Sequence, residues 1–484
     1  MNMLNKRKCK WLRGLAFGLA LMTAIPNAVV YGAEDANAVA VEDSQAVETV
    51  AETGETVAAV DPVETNSIAG WPQAADINSG TACLFDADTG AVLYNKKMYE
   101  KMYPASTTKV MTALIALENS SLDETVVFTE TGVAEAYSGS SNLFTQVGEE
   151  FTMEDCLYAL MLKSANDFAS QIAEHVGGSV EGFCQMMNEK AAELGCVNTH
   201  FNNAHGMPDE NHYTCAYDLA LIMRAALKNE TFRKIIMTQS YTIPETAVTG
   251  ARTVTSHNAL IMTSDYYYEY CIGGKTGYTD SAMNTFVSAA EKDGRTLIEV
   301  TMYSPTAGDS FINAKTLYEY GFNNFTNHVV CQGTNLYSGG SVTLPNGVTT
   351  DVLQTQEGET FYTSFGDMVS RNYFYNEYQV GQAAITEESY LEERRLIAEA
   401  EAQAEAEAEA EREKTDLEKL QELKDSAMTK PLLDPISGEL FTTSHIIIFV
   451  FAGLILLGVL TIIITVIVKR IRKKRKALKK KYKK

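Results

Sequence analysis

Apolar positions along the 484-residue chain change their period several times, and each change predicts an element. Residues 81–85 and 91–94 are short β-prone runs either side of Asp86, Asp88 and Gly90, which predicts a hairpin closed by Asp and Gly turn chemistry. After Pro104, Val110, Leu114, Ile115 and Leu117 recur at helical spacing, so Ser106 opens a helix. The same period runs through 153–176, 180–194 and 219–227. Between 271 and 301, a glycine-rich stretch leads into apolar runs at 285–290 and 296–303 joined by Asp293-Gly294, which reads as two strands with Lys275-Thr276-Gly277 at a strand start. Strands, then helices, then strands predict a sheet whose first and last strands meet after a helical excursion.

The flanks read differently. Residues 1–33 carry Lys6, Arg7, Lys8, Lys10 and Arg13 ahead of an apolar run and then small residues, the layout of a signal peptide. Residues 34–75 are Ala, Val, Glu, Asp and Thr with almost no large apolar side chains, an acidic spacer expected to be disordered. A catalytic domain is expected over 76–325 and a small β-rich appendix over 326–385, broken by Gly339-Gly340 and Asn346-Gly347. Residues 386–430 turn to Glu and Ala, which favour helix, and at 1.5 Å per residue such a stalk reaches roughly 60 Å. It lacks the large a and d residues of a coiled-coil seam, and Pro431 and Pro435 end it. Residues 446–468 are apolar without interruption, about the length of a membrane helix.

Charge fixes the direction of that span. The formal net charge is −22, yet residues 469–484 hold twelve Lys and Arg and no acid, so under the positive-inside rule this tail is cytoplasmic and what precedes residue 446 lies outside. The basic tail acts as a stop-transfer signal and suits anionic lipid head groups. So acidic an exterior argues against a nucleic-acid partner. Cys9 leaves with the signal peptide, and the seven remaining cysteines show neither a disulfide framework nor Cys-x-x-Cys zinc spacing. They are expected as small buried residues. His200, His205 and His212 lack a His-Glu-x-x-His context, so no metal and no cofactor is expected.

Three short elements carry candidate chemistry: Ser106-Thr107-Thr108-Lys109, Ser164-Ala165-Asn166 and Lys275-Thr276-Gly277. Each is common alone; their order in an exported chain gives them weight. Residues i and i+3 share a helix face, which puts Lys109 in reach of the Ser106 hydroxyl. A serine needs a base to become a nucleophile, and a lysine is a base only when desolvation or a second cation lowers its pKa; Lys275 supplies that cation. Ser164 can relay a proton to a leaving amine, and Asn166 offers an amide to a substrate carbonyl. The strand at 275–277 can pair with a peptide, with Gly277 leaving room for close approach, and the N–H groups of Ser106 and Tyr278 can form an oxyanion hole.

The words Leu84 to Gly90 (LFDADTG), Pro104 to Lys109 (PASTTK), Met161 to Asp167 (MLKSAND), Asn198 to Phe201 (NTHF) with His205-Gly206, and Gly274 to Asp280 (GKTGYTD) give the stretch 76–325 a family resemblance. It resembles the serine-type D-alanyl-D-alanine carboxypeptidases, the low-molecular-mass penicillin-binding proteins of peptidase family S11. That resemblance implies an α/β (α+β) fold of the β-lactamase/DD-peptidase type, an antiparallel sheet flanked by helices. It implies an acyl-enzyme on Ser106, Lys109 as base, Ser164 as proton relay, and Lys275 with Thr276 as anchors of the substrate carboxylate. The partners implied are peptidoglycan stem peptides, with β-lactams as inhibitors.

Two departures stand out. Members of the family commonly carry an arginine about a dozen residues before the closing Tyr-Gly-Phe, where Tyr320-Gly321-Phe322 is here preceded by Asp309-Ser310; Met283 lies near a usual glycine. Two further readings stay open: a non-catalytic wall-binding or scaffold protein on this fold, and a β-lactamase, which lacks its deacylating glutamate context between Asn166 and Lys275.

Overall fold

The computed structural model describes residues 64–136, 140–333, 338–363, 366–429 and 443–481, so the expected signal peptide and the first part of the spacer lie outside the described residues. The chain divides into two compact units, Met1–Arg394 and Arg395–Lys484.

In the first unit, β1 (Thr81–Asp86) and β2 (Val92–Lys96) form the expected hairpin. Helix Lys109–Asn119 follows, then β3 (Thr125–Val127) paired with β4 (Glu150–Thr152), and the helices Met153–Tyr158, Asn166–Gly177, Val180–Glu193, Ala216–Ala226 and Glu230–Met237. A second small pair, β5 (Ser240–Ile243) and β6 (Arg252–Thr255), leads into β7 (Cys271–Thr279), β8 (Met283–Lys292) and β9 (Arg295–Ser304). The main sheet is antiparallel in the order β2-β1-β9-β8-β7. The earliest strand thus lies against the latest, Ala82 opposite Thr301 and Leu84 opposite Glu299.

Both faces of this sheet are covered, as a period of two with apolar residues on each face requires. β1 sends Cys83 and Phe85 into a core shared with the helical lobe, and Ala82 and Leu84 into a second core beneath helix Ala307–Asn324. Helix Lys109–Asn119 is buried from Lys109 to Ala116, apolar almost all round as a central helix must be. It carries the first chemical word into the middle of the lobe.

A second antiparallel sheet is built from β10 (Phe325–Cys331), β11 (Gly339–Pro345), β12 (Gln354–Thr363), β13 (Gly366–Tyr375) and β14 (Tyr378–Thr386), in the order β10-β11-β14-β13-β12. The spacer expectation needs correcting at this point. From Glu64 the chain is packed: Ile68, Trp71 and Ile77 are buried, Trp71 against Phe325 and Tyr378, and its indole N–H donates to the carbonyl of Leu93 at 3.0 Å. Three apolar anchors in a polar stretch hold these residues in the core; the average composition conceals them.

Helix Glu387–Thr429 begins at the end of the first unit and continues into the second, which also holds helix Thr443–Lys481. Within the latter, Val450–Arg470 has a mean hydropathy of 2.9 and, by length and composition, can cross a membrane. All seven described cysteines are free thiols, five of them buried. Among the described residues no cluster of His, Cys, Asp or Glu could hold a metal ion.

Candidate active site

Ser106 lies in a single 3-10 turn, Ala105–Thr108, that runs directly into helix Lys109–Asn119. The turn is strained, because Ala105 holds φ at +48°, a left-handed conformation costing about 1–2 kcal/mol for a residue with a Cβ. Its surroundings hold it there. The carbonyl of Pro104 accepts from Thr107 Oγ1 at 2.7 Å and from Thr285 Oγ1 at 2.9 Å, pinning the turn to β8. Gly206, at φ +93°, packs so closely that a Cβ on it would lie 1.8 Å from the carbonyl oxygen of Ala105. Ser106 itself stays half-buried and accessible.

Lys109, one helical step on, is completely buried. Its Nζ lies 3.1 Å from Ser106 Oγ, 2.7 Å from Asn166 Oδ1 and 2.6 Å from the carbonyl oxygen of His205. Burial, then the charge of Lys275, hold its pKa well below the usual lysine value against the opposing pull of Glu135 and Asp167.

The second word is positioned by an irregular turn. Residues Ala159–Lys163 form one π turn, after which Ser164 adopts φ +62°, and Asn166 starts helix Asn166–Gly177 with its N–H on the carbonyl of Ser141 at 2.7 Å. The Ser164 hydroxyl is buried and has no hydrogen-bond partner among the described residues, where buried hydroxyls normally find one. Asp167 staples the neighbouring segment, accepting from the N–H of Leu143 at 3.0 Å and the hydroxyl of Thr145 at 3.1 Å.

The third word lies well inside β7, not at its start, and β7 is an edge strand of the sheet. Lys275 is 1% exposed, donates to the carbonyl of Thr276 at 2.7 Å, and is pulled down to about 7 by burial. Gly277 faces Ser106: a Cβ there would meet Thr285 Oγ1 at 2.3 Å and the Ser106 nitrogen at 2.8 Å. The ring of Tyr278 points to solvent, its hydroxyl on Asp280, so only its backbone can serve the site. His257 lies near enough to Lys275 and Lys163 that burial, reinforced by those charges, lowers its imidazole to about 4.

The structure therefore brings Ser106 and Asn166 into contact with Lys109, and sets Gly277 against the backbone N–H of Ser106. Asn166 spends its carbonyl oxygen on Lys109, leaving its NH2 end for a ligand. The His205 carbonyl, Gly206 and the strained Ala105 belong to the same site; the sequence shows His205-Gly206 and Ala105 only as parts of family words, with no role for their backbone. Where the family commonly has an arginine, Ser310 is 2% exposed and its hydroxyl has no hydrogen-bond partner among the described residues, and Asp309 caps its own helix through Thr306.

The sequence profile of the peptidase S11 family, D-alanyl-D-alanine carboxypeptidase, matches residues 68–306, which contain Ser106, Lys109, Ser164, Asn166, His205 and Lys275-Thr276-Gly277. Over 250 residues the chain is 35% identical to the D-alanyl-D-alanine carboxypeptidase DacB2 of Mycobacterium tuberculosis, covering 50% of this chain and 81% of that one. The chain belongs to the S11 family. With the S11 relative DacF of Bacillus subtilis it shares 33% identity over 250 residues, 51% of this chain but 63% of that protein, so it spans less than two thirds of that relative. Penicillin-binding protein 5 of Haemophilus influenzae superposes with a TM-score of 0.55 at 22% identity, covering 65% of this chain and 98% of that one, which shows a shared fold.

Proposed function

We propose that this chain is a serine D-alanyl-D-alanine carboxypeptidase that removes the terminal D-alanine of peptidoglycan stem peptides through an acyl-enzyme on Ser106. One observation carries the reading: Lys109 Nζ is buried and lies 3.1 Å from Ser106 Oγ. A neutral amine has two N–H bonds and one lone pair. Asn166 Oδ1 and the His205 carbonyl accept the two N–H bonds, which leaves the lone pair for the third neighbour, the hydroxyl of Ser106. Burial and the Lys275 charge favour that neutral state.

In this account Lys109 takes the proton as Ser106 Oγ attacks the penultimate carbonyl, and the N–H groups of Ser106 and Tyr278 receive the oxyanion. The proton passes through Ser164 to the departing D-alanine amine. Water, deprotonated by Lys109, then attacks the ester carbonyl, and the proton passes from Lys109 to Ser106 Oγ as that oxygen leaves. Lys275 and Thr276 hold the terminal carboxylate, Gly277 lets the peptide approach β7, and Asn166 donates to the donor peptide's carbonyl. β-Lactams acylate Ser106 because their strained amide stands in for the scissile bond. Export, anchoring through 450–470 and a cytoplasmic basic tail place the chemistry at the outer membrane surface.

The test is release of D-alanine from Nα,Nε-diacetyl-L-lysyl-D-alanyl-D-alanine by the detergent-solubilised chain, with Ser106→Ala as control. Release by the native chain alone supports the reading; no release from either supports a scaffold.

A further inference from the structure

The carbonyl that holds Lys109 belongs to a short turn, and that turn is stapled from two sides. Within it, Asn203 Oδ1 accepts from the N–H of Gly206 at 2.7 Å and that of His205 at 3.3 Å, while Asn203 Nδ2 donates to the carbonyl of Met207 at 3.1 Å. Outside it, the His205 ring bridges to a separate element. Its Nδ1 accepts the N–H of Met207 at 3.1 Å, so the neutral ring carries its proton on Nε2, and Nε2 lies 3.4 Å from Oε1 of Glu135. Both side chains are largely sheltered, the histidine 11% and the glutamate 25% exposed.

Packing sets Glu135 in that place. It lies in the last turn of helix Glu130–Ala136, where Gly132 lets the helix close onto helix Asn166–Gly177: a Cβ on Gly132 would sit 3.0 Å from the carbonyl oxygen of Asp167. Across the same contact Thr131 Oγ1 donates to Glu174 Oε1 at 2.7 Å. The helix that begins at Asn166 therefore positions the amide on one side of Lys109 and, by way of Glu135 and His205, the carbonyl on the other.

The titratable groups that face Lys109 from the surrounding elements are Lys275 on β7, Asp167 on helix Asn166–Gly177, Glu135 on helix Glu130–Ala136, and His212 ahead of helix Ala216–Ala226. Burial and then Lys275 lower the Lys109 pKa, and Glu135 and Asp167 oppose them. His212 is pushed down to about 3, by burial first and His205 next, and stays neutral. Asp167 is fixed among donors from Leu143, Thr145 and Phe168, whereas Glu135 also reaches the turn that holds the amine. On the carboxypeptidase reading, on which this inference rests, we propose that Glu135 is a positioning residue for acylation: through the His205 imidazole it fixes the carbonyl that orients Lys109, and its carboxylate keeps that amine a strong enough base.

The second-order rate of acylation by benzylpenicillin, followed against pH with the full chain in detergent, tests this in the native protein, Glu135→Gln and Glu135→Asp. Without the carboxylate, Lys109 loses its proton more readily and is a weaker base. In Glu135→Gln the rising limb should therefore move about half a unit to one unit to lower pH, and the plateau rate should fall about three- to tenfold. Glu135→Asp keeps the charge and should return the limb to its native position. A slower rate with the limb unmoved in Glu135→Gln, the outcome of a merely structural role, overturns the inference, and so does a native profile; in both cases acylation of the native chain leaves the carboxypeptidase reading standing. Loss of all acylation in Glu135→Gln supports the inference when Glu135→Asp restores the native pH dependence and overturns it when Glu135→Asp does not. No acylation of the native chain at any pH overturns both.

Discussion

Lys109 Nζ lies closer to the carbonyl oxygen of His205, at 2.6 Å, than to the hydroxyl of Ser106, at 3.1 Å. On the proposed mechanism, a backbone group 96 residues downstream thus orients the amine of the base. His205 is followed by Gly206, whose missing side chain lets that segment close onto Ala105. The His205-Gly206 segment and the turn holding Ser106 are one packed unit.

Gly206→Ala tests this unit. A methyl group 1.8 Å from the Ala105 oxygen, on a residue at φ +93°, cannot be accommodated without moving the turn. Acylation by benzylpenicillin is expected to slow by at least a hundredfold, with a thermal midpoint several degrees lower. Native acylation in this variant would show that the contact is not needed.

The pH profile follows from the two lysines. Lys109 must be neutral and Lys275 protonated, and burial sets Lys275 at about 7 and Lys109 well below its usual value. Since kcat/KM reports the free enzyme, it should rise as Lys109 loses its proton and fall above about pH 7 as Lys275 does. A bound carboxylate raises the Lys275 pKa, so the falling limb of kcat should lie at higher pH. A kcat/KM that climbs without a maximum to pH 10 contradicts the anchoring role of Lys275.

Stability should run against function at Lys275. Its folded pKa of about 7 is below the unfolded lysine value of about 10.4, so between these pH values the unfolded chain binds more protons and stability rises with pH. Below pH 7 the penalty of burying the charge is fully present. At about 1.4 kcal/mol per unit, Lys275→Met should raise stability at pH 6 by a few kcal/mol, flatten the rise between pH 7 and 10, and abolish D-alanine release. Thermal melts across that range measure it; parallel curves for the two proteins contradict it.

Trp71 joins the pre-hairpin segment to both sheets through Phe325, Tyr378 and the carbonyl of Leu93. Trp71→Ala should cost about 3–5 kcal/mol, the scale of a large core truncation, while leaving the pH optimum of kcat/KM in place. Urea denaturation reads the cost; a loss below about 1 kcal/mol would mean the segment is an ornament on the fold.

Sequence reading reached the chemistry where side chains repeat on a regular element. Ser106 and Lys109 share a helix face, and the hairpin 81–94 shows its turn residues openly. It stopped where backbone decides. The His205 carbonyl has no side-chain signature, the π turn that throws Ser164 into φ +62° leaves apolar spacing unchanged, and only contacts reveal that Ala105 is strained. Lys275-Thr276-Gly277 looked like a strand start because its glycines resemble a turn; in fact the close packing of Gly277 on Ser106 calls for glycine inside a strand. Trp71 was lost in the average of its acidic neighbours.

The central claim is a covalent one, and mass spectrometry of the full chain after incubation with benzylpenicillin addresses it most directly. The account predicts a single penicilloyl adduct on the peptide containing Ser106, none in Ser106→Ala, and a greatly slowed adduct in Lys109→Met. No adduct in folded native chain, or one on another residue, would contradict it.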